Sequence, residues 1–172
     1  MFRAIGYDDE DLASPIVGIA NPAADITSCN VYLDDGADAA YEGIDESGGM
    51  PIKCGTITIS DAISIGTDGM KASLVSREVI ANSVELVAFS ERLDGLVTVA
   101  GCDKNLPGML MAAIRTDLPT VFLYGGSVLP GEHQGRDYNP GIRGRWRLCF
   151  WRYERRRTNV PGATRLSGGR LS

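Results

Sequence analysis

The sequence predicts an α/β fold: an open, mostly parallel sheet with helices on both faces, followed by an irregular C-terminal tail. Three observations predict it. Short apolar, largely β-branched runs lack the alternation of a half-exposed strand and read as strands buried on both sides. Longer segments between them carry apolar residues at helical spacing. The two kinds alternate along the chain with glycine- or proline-bearing turns between them, the order of a doubly wound sheet.

Residues 1–14 are polar and acidic and read as an arm or a short helix. Residues 16–20 form the first strand, stopped by Asn21-Pro22, and a loop carrying Cys29 follows. Leu33, Ala37, Ala40, Tyr41 and Ile44 fall at helical spacing with acids on the other face, and Gly48-Gly49 ends that helix. Ile57-Thr58-Ile59, after Gly55, reads as the second strand, with Ser60-Asp61 at its carboxyl end. Residues 62–74 read as a long functional loop. A helix capped by Ser76 turns Ile80, Val84, Val87 and Ala88 inward and ends at Leu93-Asp94-Gly95. Residues 96–100 are a strand, 107–115 a helix with Pro107 in its first turn, and 119–124 a further buried strand closed by Gly125-Gly126-Ser127. No internal repeat is present.

The 172 residues suffice for one domain with a real core. The net charge of −5 hides a split. Residues 1–137 carry 8 basic and 21 acidic side chains, a net of −13, whereas residues 138–172 carry 9 Arg, no Lys and one Glu, a net of +8. So acidic an N-terminal part repels phosphates, which excludes nucleic-acid binding by it. Its surplus of carboxylates also suits a salt-rich cytoplasm. No signal peptide or membrane-spanning run is visible, so a reducing cytoplasm is expected, where thiols serve as ligands or core. The four cysteines (29, 54, 102 and 149) form no CxxC pair and no zinc spacing. Cys54 reads as core, at a strand start on the opposite edge of the sheet. The single His133 reads as a surface residue in a polar loop and leaves no His-based zinc site or Ser-His-Asp triad. The glycines do not form a dinucleotide fingerprint after a strand.

In a parallel sheet the carboxyl ends of the strands share one edge, and ligands bind in the crevice there. Cys29, Asp61, Cys102-Asp103-Lys104 and Gly125-Gly126 all follow predicted strands and so converge on that edge. Taken alone, the Cys102–Lys104 run is equally a plain strand-to-helix turn. The convergence of soft thiols with hard carboxylates favours a site for two different metals.

The segments Ile26-Thr27-Ser28-Cys29-Asn30, Gly55-Thr56-Ile57-Thr58-Ile59-Ser60-Asp61-Ala62-Ile63-Ser64, Ser76-Arg77-Glu78-Val79-Ile80-Ala81, Gly101-Cys102-Asp103-Lys104-Asn105-Leu106-Pro107-Gly108-Met109-Leu110-Met111-Ala112-Ala113 and Tyr124-Gly125-Gly126 resemble the N-terminal part of the dihydroxy-acid dehydratase family, shared with phosphogluconate and sugar-acid dehydratases. The Thr-x-Cys-Asn loop favours the dihydroxy-acid branch. The resemblance implies a hydro-lyase converting small 2,3-dihydroxy-3-methyl acids to 2-keto acids in valine and isoleucine synthesis. It implies that Cys29 and Cys102 ligate an iron–sulfur cluster, two-iron ahead of four-iron, with one open iron position. It also implies that Asp61, Asp103 and Lys104 ligate Mg²⁺, Lys104 as its carbamate. The open iron would act as a Lewis acid on the departing hydroxyl, and Mg²⁺ would stabilise the enolate.

The family's third cluster cysteine, a further magnesium carboxylate and the serine base have no counterpart in these 172 residues. No catalytic residue is therefore expected within the chain, which is expected to be inactive alone and not to preserve the family's homodimer. Ser28, Cys54 and Thr67 depart mildly from the family pattern. The alternatives are a sugar-acid dehydratase of the same family and a non-catalytic remnant with a binding role. The family pattern covers 1–137 and stops at Tyr138. Residues 138–172, Arg-rich and without periodicity, read as an out-of-frame product without a packed core, the alternative being a basic tail for nucleic acid or an acidic partner. Cys149 is not expected to replace the third ligand.

Overall fold

The computed structural model describes residues 1–125 and two further strands, Gly131–His133 and Arg136–Tyr138. The chain divides into two compact units, Met1–Val128 and Leu129–Ser172. In the first, strands β1 (Ile16–Asn21), β2 (Met50–Gly55), β3 (Gly95–Ala100) and β4 (Thr120–Tyr124) form one parallel sheet in the order β2-β1-β3-β4. In the second, β5 (Gly131–His133) pairs antiparallel with β6 (Arg136–Tyr138).

Strand side chains alternate between the two faces of a sheet. Leu96 and Ala100 of β3 point to the face covered by α3 (Met70–Ser90) and α4 (Asn105–Thr116), where they pack with Ile80, Val84, Met109 and Ala112. Val97 and Val99 point to the other face, where Ile19 and the α1 residues (Leu33–Glu46) Leu33 and Ala37 meet them. Helices therefore cover both faces, as expected. Gly108 lets α4 lie close on α3, since a Cβ there would sit 2.9 Å from Ile80 Cβ and Cγ2. Arg115 then ties the two helices at their rim, donating to Glu78 Oε2 at 2.7 Å and Asn82 Oδ1 at 2.8 Å.

The sequence reading placed the second strand too late. The strand is Met50–Gly55, while Ile57-Thr58-Ile59 is extended without ladder pairing. Pro51 obscured it, and a proline is tolerated because β2 is an edge strand. In the 57–59 run the polar residue is the buried one: Thr58 is 8% exposed and Ile57 44%. Cys54 consequently lies near the carboxyl end of β2, opposite Ala20 in β1, and not at a strand start on the far edge. Its packing against the core is as expected, and burial pushes its thiol pKa up.

Residues 62–74 are not one loop. Asp61–Ser64 is a single helical turn, α2, and α3 begins at Met70. Ser76 is not a cap. It is buried within α3, where its hydroxyl donates back to Ser73 O at 2.6 Å. The arm at residues 1–14 folds into two 3₁₀ turns, Phe2–Ile5 and Asp11–Ala13, and Tyr7 donates to Pro51 O at 2.6 Å, fastening the arm to β2.

The boundary expected between residues 137 and 138 falls within β6. His133, expected in a loop, ends β5. The expectations for Gly126, Ser127, Cys149 and the packing of the Arg-rich segment lie outside the described residues.

Strand order reverses between β1 and β3: the chain passes from β1 outward to β2, then returns across β1 to β3 and β4. At such a reversal the loops leaving the two central strands diverge and open a crevice at their carboxyl ends. Cys29 follows β1 and Cys102 follows β3.

Candidate metal centre

The two thiol-bearing segments are brought together by backbone geometry. After β1, Asn21 turns the chain by accepting from Ala23 N at 3.0 Å and donating to Asp34 Oδ1 at 2.6 Å. After β3, Gly101 runs against the Cys29 loop so closely that a Cβ would lie 2.4 Å from Cys29 O. Cys102 then takes a left-handed conformation, φ +40°, uncommon for a residue with a side chain, and α4 starts three residues later. Cys102 Sγ lies 3.9 Å from both Thr27 Oγ1 and Ile59 O. Burial first, and then the neighbouring Cys29, push the Cys102 thiol up to about 11. Binding a soft metal would favour the thiolate against that shift.

The oxygen donors form a second group beside the first. Asp61 opens α2, and buried Ser73 of α3 donates to its Oδ1. Lys104 Nζ donates to Asp61 Oδ2 at 2.6 Å and to Asp103 Oδ2 at 2.8 Å. The Lys104 and Asp61 side chains are 15% and 18% exposed. Burial alone would raise the Asp61 pKa, but the hydrogen bonds from Lys104 and Ser73 outweigh it and hold the carboxyl below its usual range. Burial likewise would lower Lys104, but the hydrogen bonds and charges of Asp103 and Asp61 raise it. Among the described residues no three His, Cys, Asp or Glu side chains converge on one point. The Lys104 ammonium occupies the place a cation would take between the two carboxylates. Carbamylation of Lys104 would reverse its charge and turn the group into three oxygen donors, a set suited to Mg²⁺.

Lys104 thus bridges Asp61 and Asp103 at the carboxyl ends of the strands, Cys102 Sγ lies 3.7 Å from Asp103 Oδ1, and the Cys29 backbone lies against Gly101. Gly125 closes its strand instead, its N–H donating to Ala100 O at 2.8 Å.

The sequence model described as dihydroxy-acid/6-phosphogluconate dehydratase N-terminal matches residues 14–149. The chain belongs to this family. It is 79% identical over 137 residues to the dihydroxy-acid dehydratase of Natronomonas pharaonis, covering 80% of this chain and 23% of that protein. It is 77% identical over 137 residues to that of Haloarcula marismortui, covering 80% and 24%. It is 60% identical over 132 residues to that of Mycobacterium bovis, covering 77% and 23%. The chain therefore spans about a quarter of the length of the curated relatives it matches. The family match runs past residue 137, where the sequence reading set its boundary.

Within this dehydratase-family site, the sequence reading missed the polar residues that hold the candidate ligands. Ser73, behind Asp61, was assigned to a loop. Thr27, Asn30 and Asn105 sit one to three positions from a candidate ligand in segments already singled out, and that adjacency was the available signal.

The Asp61–Lys104 pair gives the metal-free chain a defined pH response. Asp61 has a lowered pKa, so its contribution to stability is complete above its ordinary value of 3.8 and is lost as pH falls through the lower folded value. Lys104 has a raised pKa, so its contribution is complete below 10.5 and is lost as pH rises through the higher folded value. Thermal melts should show this contribution level from about pH 5 to 9. Lys104→Met should shrink this acid-side loss, the variant melting below the parent near neutral pH and converging on it as pH falls. Superimposable acid flanks would contradict the pairing.

Proposed function

We propose that the chain supplies a dihydroxy-acid dehydratase with part of its metal centre. Cys29 and Cys102 serve as thiolate ligands of an iron–sulfur cluster of the two-iron type, and Asp61, Asp103 and carbamylated Lys104 as ligands of Mg²⁺. The substrate is a small 2,3-dihydroxy-3-methyl acid, dehydrated to a 2-keto acid on the way to valine and isoleucine. The compartment is the cytoplasm, whose reducing poise keeps ligand thiols reduced. The observation that carries the reading is the close approach of the Cys29 and Cys102 segments at the β1/β3 reversal, with Cys102 Sγ 3.7 Å from Asp103 Oδ1 and Lys104 bridging Asp103 and Asp61.

The bound groups would supply Lewis acidity toward a leaving hydroxyl and a forming enolate. The chain's own residues do the holding. Gly101 permits the approach of the two thiol-bearing segments, Ser73 fixes the Asp61 carboxylate, and the Thr27 hydroxyl faces the Cys102 sulfur. No residue among these acts as the base.

Anaerobic reconstitution with iron and sulfide, followed by metal analysis, tests the reading. The expected result is a labile cluster that Cys29→Ser and Cys102→Ser each remove and Cys54→Ser leaves, with no turnover of 2,3-dihydroxyisovalerate by the 172-residue chain alone. Iron binding indifferent to both Cys29 and Cys102 would overturn it.

A further inference from the structure

Three segments carry the candidate ligands: the loop after β1 with Cys29, the stretch after β2 leading to Asp61, and the turn into α4 with Cys102, Asp103 and Lys104. One buried polar side chain from each meets the others in the interior. Asn30 and Asn105 are fully buried, and Thr58 nearly so. Asn30 Nδ2 lies 2.8 Å from Pro22 O, 2.8 Å from Asn105 Oδ1 and 3.3 Å from Thr58 Oγ1. The Thr58 hydroxyl lies 2.9 Å from Asn105 Oδ1, and Asn105 Nδ2 donates to Ile57 O at 3.2 Å.

This arrangement has a single consistent set of donors and acceptors. Main-chain carbonyls only accept, so Pro22 O fixes which end of the Asn30 amide faces it, and Ile57 O fixes Asn105. The two Asn30 protons go to the two nearer acceptors. Asn105 Oδ1 must then accept from both Asn30 and the Thr58 hydroxyl, and it does. Asn30 Oδ1, on the opposite side, is buried without a hydrogen-bond partner among the described residues and faces Gly101. A fully buried polar group without a partner is costly, and the fold keeps it at the point where the Cys29 and Cys102 segments touch.

We propose that Asn30, Thr58 and Asn105 are positioning residues of the metal centre, a buried clasp that sets the spacing of the thiol pair and holds the Asp61 segment against it. The proposal rests on the metal-centre reading for its purpose, but the spacing itself is measurable without metal. Core packing alone would be served as well by apolar side chains of the same shape. A hydrogen-bonded clasp instead specifies one relative placement of three segments that otherwise share no regular structure. Thr58 is the most informative member: it links the segment that neither thiol belongs to, and valine matches its shape without its hydroxyl.

The test uses the full 172-residue chain with Cys54 and Cys149 replaced by serine, and dibromobimane, which becomes fluorescent only on bridging two nearby thiols. Peptide mass spectrometry maps the bridge to Cys29 and Cys102. The expected result is efficient bridging in this parent and about tenfold slower bridging in Thr58→Val, the size of effect that one lost buried hydrogen bond gives. Thr58→Ser, which restores the hydroxyl without the methyl, should return to the parent rate. Asn30→Asp, which turns an oxygen toward Pro22 O and Asn105 Oδ1, should bridge least; if it fails to fold, the Thr58 pair still decides.

Melting temperatures are recorded alongside. Thr58→Val and Thr58→Ser melting lower together while both keep the parent bridging rate would make the clasp a packing feature only and overturn the proposal. A parent in which Cys29 and Cys102 do not bridge overturns it as well. Slow bridging in Thr58→Val, rescued in Thr58→Ser, supports the clasp even in a chain that takes up no iron, an outcome that would sink the metal-centre reading separately.

Discussion

In a full-length dehydratase of this family carrying this N-terminal sequence, the proposed ligand role predicts that Lys104→Ala lowers turnover by at least about 100-fold, since loss of even an outer partner of a metal ligand costs about 10–100-fold. Lys71→Ala leaves it unchanged. The two lysines are the same residue type in different physical settings. Lys71 is 83% exposed and pairs with Asp68 one helical turn away, a contact worth about 0–1 kcal/mol. Lys104 is 15% exposed and lies between two carboxylates drawn from different elements. Removing it leaves Asp61 and Asp103 facing each other with neither a cation nor a third donor. Magnesium dependence of the steady-state rate is the direct measurement, and equal, small losses for both variants would remove Lys104 from the site. The metal-free chain offers a second check, since Lys104→Ala should melt below Lys71→Ala.

Gly101→Ala is the most damaging single-methyl change expected in the molecule, about 3 kcal/mol or more, at the upper end of the usual cost of overpacking. Its Cβ would stand 2.4 Å from Cys29 O, 2.8 Å from Asn30 Oδ1 and 3.2 Å from Cys29 C. Two of the three are backbone atoms and the third belongs to a hydrogen-bonded buried amide, so nothing nearby can swing aside. Gly125 is a contrast. Its Cβ would come 2.0 Å from Leu33 Cδ2, but that is the end of a side chain able to change rotamer. At Gly55 a Cβ meets nothing within 4 Å. Denaturant unfolding midpoints should therefore fall in the order Gly55→Ala, Gly125→Ala, Gly101→Ala, with the last far below the others. Gly101→Ala should also separate the thiols. A midpoint close to that of Gly55→Ala would show that the Cys29 and Cys102 segments do not touch.

The parallel sheet and the central ligand turn were legible because their signals are local. Residues 96–100 are a mostly apolar run broken by Thr98 alone, and Asn105–Thr116 is rich in apolar residues with proline near its start. Errors arose where a polar residue is buried for a tertiary reason. Ser73 and Ser76 break the apolar stripe of α3 because one holds Asp61 and the other bonds its own helix, so the helix was read as starting late. Thr58 lies in a β-branched run that has every local mark of a strand, yet its partners are side chains 28 and 47 residues distant. Pro51 hid the true strand because an edge position, where proline is harmless, is a property of sheet order and not of sequence. The approach of Asp61, Asp103 and Lys104 follows the rule that parallel strands share a carboxyl edge, although Asp61 comes after the unpaired 56–60 stretch and not directly after a strand.

The return of the chain across β1 to reach β3 also sets a timetable. Cys29 leaves the ribosome 73 residues ahead of Cys102, a lead of roughly 4–15 s at about 5–20 residues/s. Through that interval Cys29 lacks its partner Cys102, although Cys54 is made within it. The strand that will deliver that partner cannot dock until β2 and all of α3 have been made, and pairing over so long a separation is slow. A nascent chain therefore exposes Cys29 well before it presents the Cys29–Cys102 pair. Oxidation or capture of Cys29 during synthesis would precede closure of the central strands, and any loading of the proposed metal centre would follow that closure.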